Sequence, residues 1–594
     1  MSGIGGMMQR AGSPSDFVLS SLAKSLQHRG PDAIKGEVYS EVGFVYTRLS
    51  VIDIEGCSQP IHGNNLSLIA NAEIFNAQEI KDKFPNYPFK TETDCESILP
   101  LYRKYGEEFA NHISGSYALA LYDENEKTLY ISRDPFGIKS LYYWEGITGF
   151  AFASEPQAIL NAKIVTPNLN PLKAYNFLSI NYLWGKDTLF KDIHRVLPGE
   201  TIVIKKGQVI KRLFRHAISK GPPKKTSVDE SFDSLDKVLN QSIATHLRSN
   251  LRYGIVLSND VESACLLKLI SQYTQGPIKT FSITYSGNIE ERENINNLAK
   301  SFNTDHQDLL FEESDFWLLL PKLMEILDDP TIDPHALATY KLAESAAKSV
   351  KVLFTGIGAN ELFGAQKHEN AMKSWWFGGS AFNKEDRLKK YKFMRVKNEA
   401  LWEELDQILI QLERLKLSKL QLAQAIDFEL TLPNNVLLKF DRCLMANGIE
   451  GRMPFLDSNV AEISFHLPDH LKLKDKTPQW LLREWLQKNA PDVMRFLKPV
   501  QNTIPVEEWV SQQGKEIGHL VAQQEGVKQI CRLSEVEALF TSNKQEMKTM
   551  AWNLLCFALW HQVHILGKPV LSDVKTTLNG GDKVEDPELI MSEV

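Results

Sequence analysis

Apolar and polar positions alternate over the first 200 residues in short runs separated by turn residues. Val42–Tyr46, Ser67–Ala70, Tyr117–Tyr122, Leu129–Ser132 and Phe150–Ala153 are aromatic or β-branched runs that predict strands. Leu197-Pro198-Gly199-Glu200 predicts a turn into a further strand, Thr201–Lys205. Gly221, Pro222 and Pro223 break the pattern within Ser219–Thr226. From Val228 the rhythm changes. Leu251–Leu257 reads as a buried strand followed at Val261 by a helix, and Ile278–Ile283 as a strand followed by the helix Ile289–Phe302. With Val350–Phe354 as a third strand, this alternation predicts a parallel, doubly wound sheet. After Lys384 nearly everything reads helical, and the glycines and acidic residues beyond Leu571 predict a disordered tail.

Composition adds mainly exclusions. The 594 residues suffice for two or more domains, and 43% hydrophobic with 24% charged residues is ordinary for a globular protein. A net charge of -7 offers no field for nucleic acid or anionic lipid, and the basic run Arg387, Lys389, Lys390, Lys392 reads as a solvated helix face. The six cysteines (Cys57, Cys95, Cys265, Cys443, Cys531, Cys556) form no metal or disulfide spacing, which fits a reducing cytosol. No signal peptide is evident. Ala551–Leu566 is interrupted by Asn553, His561, Gln562 and His564 and is too short to span a bilayer.

The chain opens Met1-Ser2-Gly3-Ile4-Gly5-Gly6. Class II glutamine amidotransferases begin Met-Cys-Gly-Ile, and the cysteine becomes the N-terminal nucleophile. Further motifs follow: His28-Arg29-Gly30-Pro31-Asp32, Arg48-Leu49-Ser50-Val51-Ile52-Asp53, Gln59-Pro60-Ile61, Arg133-Asp134-Pro135-Phe136-Gly137-Ile138-Lys139 and Phe152-Ala153-Ser154-Glu155. In that order they are similar to the motifs of glutamine-hydrolysing asparagine synthetases. The resemblance runs from residue 2 to about 510. It implies an α+β N-terminal nucleophile hydrolase-type sandwich at 2–215 and a linker at 216–227. An α/β doubly wound ATP-pyrophosphatase-like synthetase domain with a helical C-terminal part would follow at 228–570, and the tail at 571–594.

The first site needs a nucleophile, oxyanion donors and groups for a free amino acid. By similarity, Ser2 holds the nucleophile position, Arg48 would clamp a glutamine carboxylate, and Glu73 and Asp94 would hold its ammonium and amide ends. Asn71-Ala72-Glu73 resembles an Asn-Gly-Glu oxyanion segment, and Ala72 would restrict the backbone if φ were positive there. Serine in place of cysteine leaves little anion at neutral pH. A solvated terminus beside a leftover polar cluster is the plainer alternative.

The second site departs further. The family's Ser-Gly-Gly-x-Asp-Ser phosphate loop reads here Ser258-Asn259-Asp260-Val261-Glu262-Ser263. Glycines let backbone N–H groups approach phosphate, and Asn259 and Asp260 each add a side chain there. A carboxylate about 4 Å from a phosphate charge costs on the order of 4 kcal/mol at an effective dielectric of 20. Glu262 would keep a carboxylate for Mg²⁺. In Thr355-Gly356-Ile357-Gly358-Ala359-Asn360-Glu361 the family's acidic proton-handling residue becomes Ile357 and its metal-side aspartate Asn360. The expected lysine falls on Pro499, with Lys498 adjacent.

Damage sits at phosphate, metal and nucleophile positions, while Asp328-Asp329-Pro330, Asp441-Arg442, Trp480–Glu484 and Gly448–Asp457 follow the family closely. The leading expectation is therefore a cytoplasmic pseudoenzyme of the family, acting by binding a glutamine-like molecule, an active paralogue or a biosynthetic enzyme, or as a homodimer. No cofactor is expected on that reading. The alternatives are an altered amide-forming ligase using ATP and Mg²⁺, and a Ser2-dependent amidase.

Overall fold

The alternating runs of the first half form twelve strands in two antiparallel sheets. In chain order they are β1 (Ser2–Gln9), β2 (Ala33–Tyr39), β3 (Val42–Arg48), β4 (Ile61–His62), β5 (Leu66–Ile74), β6 (Gly115–Asp123), β7 (Thr128–Arg133), β8 (Tyr142–Glu145), β9 (Gly149–Ala153), β10 (His194–Arg195), β11 (Glu200–Lys205) and β12 (Gln208–Phe214). One sheet has the order β10-β8-β9-β1-β3-β2, the other β12-β11-β7-β6-β5-β4. Period-2 alternation turns Ile4, Met8, Phe44, Phe150 and Phe152 of the first sheet toward Ile69, Ala120, Leu129 and Ile131 of the second, closing a sandwich core. The computed structural model describes residues 2–50, 59–247, 252–370, 391–398, 400–497 and 504–580, apart from the Trp402 side chain.

The second half is built on five parallel strands: β13 (Tyr253–Val256), β14 (Lys279–Tyr285), β15 (Asp305–Phe311), β16 (Val352–Phe354) and β17 (Glu450–Arg452), in the order β15-β14-β13-β16-β17. Chain order reverses beside β13, so the loops after β13 and β16 meet at a switch point, where doubly wound sheets hold ligands. The helices Val261–Ser271 and Ile289–Ser301 follow β13 and β14. The helix Gln545–His564 is buried on every side from Met550 to Gln562, as an all-round apolar helix must be. Among the described residues no helix is long and apolar enough to cross a membrane.

Two expectations change. Residues 571–580 do not extend as a tail. Asp573 caps a short helix, Val574–Asn579, that buries Val574, Thr577 and Leu578. The Gly-Pro break is also strapped down, with Ser219 N–H on Glu462 and Lys224 N–H on the His466 carbonyl.

The two halves are joined by buried charge. Arg29, fully buried, pairs with Glu155 at 2.7 Å and with Asp441 of the second half at 2.9 Å. Arg442 reaches back to Glu155 at 2.7 Å and holds Asp328 at 3.0 Å. Arg195 grips Asp329 through two bonds of 2.5 Å, and the Tyr142 hydroxyl donates to the same carboxylate at 2.8 Å. Burial alone would raise the Glu155 pKa, yet Arg442, His28 and Arg29 hold it well below the carboxylate range. Breaking one partner strands a buried charge, which costs about 3–5 kcal/mol, whereas replacing both with apolar groups costs far less. Asp329→Leu is therefore expected to lower the urea unfolding free energy by about 3–5 kcal/mol, and Arg195→Met added to it to recover a large part. Equal loss in the single and double variants would show that a stranded Arg195 charge is not what destabilises the single variant.

Candidate functional site

Strand β1 places Ser2 inside the protein, 2% exposed and in register with Arg48 of β3. Its hydroxyl donates to the Tyr46 oxygen at 2.7 Å, and its N–H donates to Asn71 Oδ1 at 3.2 Å. While Met1 is attached this nitrogen is an amide, so only its removal would supply an N-terminal base. Asn71 is fully buried, and its Nδ2 has no hydrogen-bond partner among the described residues.

Ala72 lies in regular strand opposite Tyr117, and its φ is not positive. The expected backbone restriction is therefore corrected: a Cβ costs nothing there. The bond from Phe75 N–H to the Ser114 carbonyl fixes which residues of β5 face β6. The others face the opposite edge, where β4 reaches only as far as Leu68. Along that edge Ala70 N–H donates to Gln59 Oε1 at 2.6 Å and Ile74 N–H to Asp94 Oδ2 at 2.5 Å. The Ala72 N–H lies between them with no partner among the described residues. Asn71 and Ala72 thus offer two unused donors beside Ser2, which is the donor type an oxyanion needs.

The three recognition residues are gathered around the same strands but are not idle. Glu73 pairs with Arg452 of β17 at 2.8 Å, a contact from the second half that the sequence reading missed. Arg452 also bonds Glu450 at 3.0 Å. Burial pushes the Glu73 carboxyl up to about 8; Arg452 opposes this, while Glu450 and Asp94 add to it. Burial likewise raises Asp94, against the bond from Ile74 N–H. The signal for Arg452 was its place in a motif shared with the family, which gave no hint of the partner.

At the switch point the phosphate loop is filled by its own side chains. Asp260 is the N-cap of the Val261–Ser271 helix and accepts from Ser263 N–H at 2.8 Å and from the Ser258 hydroxyl at 2.5 Å. Its carboxylate therefore satisfies one of the orphan donors that an anion at this helix end would use. Ser263 Oγ donates to the Ser258 carbonyl at 2.8 Å, Val261 is fully buried, and Asn259 is buried beside them.

Glu262, the carboxylate expected on the Mg²⁺ side, is held by amides: Asn360 Nδ2 donates to its Oε1 at 2.7 Å and Gln479 Nε2 to its Oε2 at 3.3 Å. Gln479 also donates to Asn360 Oδ1 at 3.1 Å. Burial, then the Asp260 charge, pushes the Glu262 carboxyl up to about 8, against the Gln479 bond. Mg²⁺ beside a nucleotide is held by one or two carboxylates together with phosphate oxygens and water; here both oxygens of Glu262, the carboxyl group nearest that role, accept from amides. Among the described residues no group of three or more acidic, histidine or cysteine side chains could hold a metal. Gly356 lies against the Glu262 stem, where an added Cβ would meet Cγ at 2.8 Å. Ile357 is half-buried against the core and has no group to exchange a proton. Lys498 and Cys57 lie outside the described residues; the other five cysteines are buried and form no disulfide among the described residues.

The asparagine synthase family model matches residues 234–562, and the glutamine amidotransferase domain model matches residues 1–215. The chain belongs to the asparagine synthase family. Asparagine synthetase [glutamine-hydrolyzing] 1 of Bacillus subtilis is 27% identical, over 92% of this chain and 94% of the relative. A putative asparagine synthetase of Mycobacterium bovis is 25% identical over 93% and 95%. Asparagine synthetase 2 of Bacillus subtilis is 26% identical over 80% of this chain and 68% of its own length.

The raised carboxyls give this family member a pH signature. Below about pH 4 Glu262 is protonated in both folded and unfolded chains and contributes nothing. Between about pH 4.3 and 8 the unfolded chain has lost a proton that the folded site keeps, so stability falls as pH rises, by at most about 1.4 kcal/mol per unit. Glu262→Gln removes that share. Urea midpoints at pH 5 and pH 8 are expected to rise in the variant relative to the parent as pH increases; a pH-independent difference would show that Glu262 is ionised in the fold.

Proposed function

We propose that this chain does not make asparagine and instead acts by binding, with a glutamine-like amino acid held in the N-terminal pocket. The observation that carries this reading is the seating of Asp260 on the helix N-terminus where a pyrophosphate must lie. The Glu262, Asn360 and Gln479 cluster supports it, since amide donors already sit on both Glu262 oxygens. The N-terminal pocket has lost a reactive atom without gaining bulk or charge, and Arg48 stands in register with Ser2 at the position that the resemblance gives to the carboxylate clamp. ATP and Mg²⁺ belong only to the altered-ligase reading, which the filled loop disfavours.

Two measurements test the proposal together. With ATP, Mg²⁺, aspartate and either glutamine or ammonia, AMP and asparagine are expected to stay at background. Glutamine is expected to raise the melting temperature more than ATP-Mg²⁺ does, and Arg48→Ala to abolish that rise. Aspartate-dependent AMP formation would overturn the first half of the reading. A shift with ATP-Mg²⁺ alone would overturn the second.

A second reading, a slow Ser2-dependent amidase, draws on the unused donors at Asn71 Nδ2 and Ala72 N–H. Because Ala72 leaves the strand regular, the Ser2→Cys variant with Met1 removed is expected to release ammonia from glutamine at least about tenfold faster than the parent, a thiol being far more ionised than an alcohol. An inactive Ser2→Cys variant that still binds glutamine would show that the oxyanion donors are misplaced.

A further inference from the structure

Glu73 sits on β5 two residues after Asn71, so its side chain leaves the strand on the same face, toward the Ser2 end of β1. Its Oε1 meets Arg452 Nη2 at 2.8 Å, a charge contact in which the N–H is not aligned on the oxygen. Among the described residues its Oε2 makes no hydrogen bond or ion pair. Arg452 is itself fixed at three other points. Its Nε donates to Glu450 Oε1 at 3.0 Å, its Nη1 donates to the His246 carbonyl, and its own carbonyl accepts from Thr355 N–H at 3.0 Å. His246 ends the helix Val228–His246, whose last carbonyls carry the partial negative charge that favours a guanidinium. Two residues past Glu73, the Phe75 ring lies against the His246 ring with centroids 4.5 Å apart. The end of β5 is thus fitted to the second half through both Glu73 and Phe75.

The charges around Glu73 divide into two groups. Burial, Glu450 and Asp94 all favour its protonated form, and Arg452 is the strongest influence on the other side, with Lys139 behind it. His246 adds no charge, because burial pushes its ring down to about 4. A protonated Glu73 would offer little to an ammonium group, since the strong form of that bond needs the carboxylate.

We infer that Arg452 makes the N-terminal pocket selective for ligands with a free α-amino group, by holding Glu73 in place as the carboxylate whose Oε2 receives the ammonium. This role presupposes the glutamine-like ligand of the proposed function. Arg48 would grip the α-carboxylate of such a molecule with or without its amine. The amine is read by Glu73, and the state of Glu73 is set by Arg452. Arg452 is therefore a positioning residue supplied by β17, and the N-terminal half by itself would not discriminate.

Calorimetric titration of the full chain at pH 6, 7 and 8 tests this, with glutamine and with 4-carbamoylbutanoate, which is glutamine without its α-amine. The parent is expected to prefer glutamine. Its glutamine affinity is expected to rise by up to about tenfold per pH unit as the ionised share of Glu73 grows, while the analogue gains nothing. Arg452→Gln keeps an amide donor but no charge. It is expected to lower glutamine affinity at pH 7 at least about tenfold and to leave the analogue within about threefold of the parent. Arg452→Lys keeps a charge beside Glu73 and is expected to recover most of the preference. Glu73→Gln leaves Arg452 its bonds to Glu450 and His246 and is expected to lose the preference, which guards against a poorly folded Arg452 variant. A preference that survives Arg452→Gln or Glu73→Gln, an equal loss for both molecules, or no recovery in Arg452→Lys would each overturn the inference. Failure of both molecules to bind the parent would overturn the amino-acid pocket as well, which sets that failure apart.

Discussion

The buried charge chain across the two halves is the constraint on which both candidate sites depend. Arg29, Glu155, Arg442 and Asp328 form a continuous run of ion pairs between the sandwich and the parallel sheet, with Asp441 and the Arg195–Asp329 pair beside it. None of these groups can be left alone in a dry interior, so the halves are held in one arrangement by the penalty for separating them. Arg452 extends the same logic into the pocket. Its charge rests on Glu73 and Glu450, which ties the state of the N-terminal site to the strand that follows the synthetase loops.

Against that fixed frame the changes in the second site make a coherent set. Asp260 replaces an absent glycine and also satisfies the helix end that a phosphate would have satisfied. Asn360 replaces a carboxylate, and the buried Glu262 then finds amide donors in place of a cation. On the proposed reading, each substitution supplies internally a contact that a ligand would otherwise supply, and the cleft keeps its stability without one.

Much of this was legible in the sequence, and the exceptions have physical causes. The strands with clean alternation, such as Tyr117–Tyr122 and Leu129–Ser132, sit inside β6 and β7. β1 is not legible as a strand because its glycines carry no side-chain pattern, and neither is β15, which puts Asp305 and Gln307 on one face and His306 and Asp308 on the other. The motifs Asp328-Asp329 and Asp441-Arg442 were recognised as family framework. Their role as the charge chain could not be read, because their partners lie more than a hundred residues away. The positions of Ser2, Asn71 and Asp260 followed from motif order alone. What the Ser2 side chain bonds to depends on a neighbour, Tyr46, that no local pattern announces.

The central claim is that the synthetase loop is occupied by the chain's own groups, and calorimetric titration with ATP-Mg²⁺ tests it most directly. The parent chain is predicted to give no binding heat up to millimolar nucleotide, while the variant carrying Asn259→Gly and Asp260→Gly, which reopens the helix end, is predicted to bind. Micromolar binding of ATP-Mg²⁺ to the parent would contradict the account.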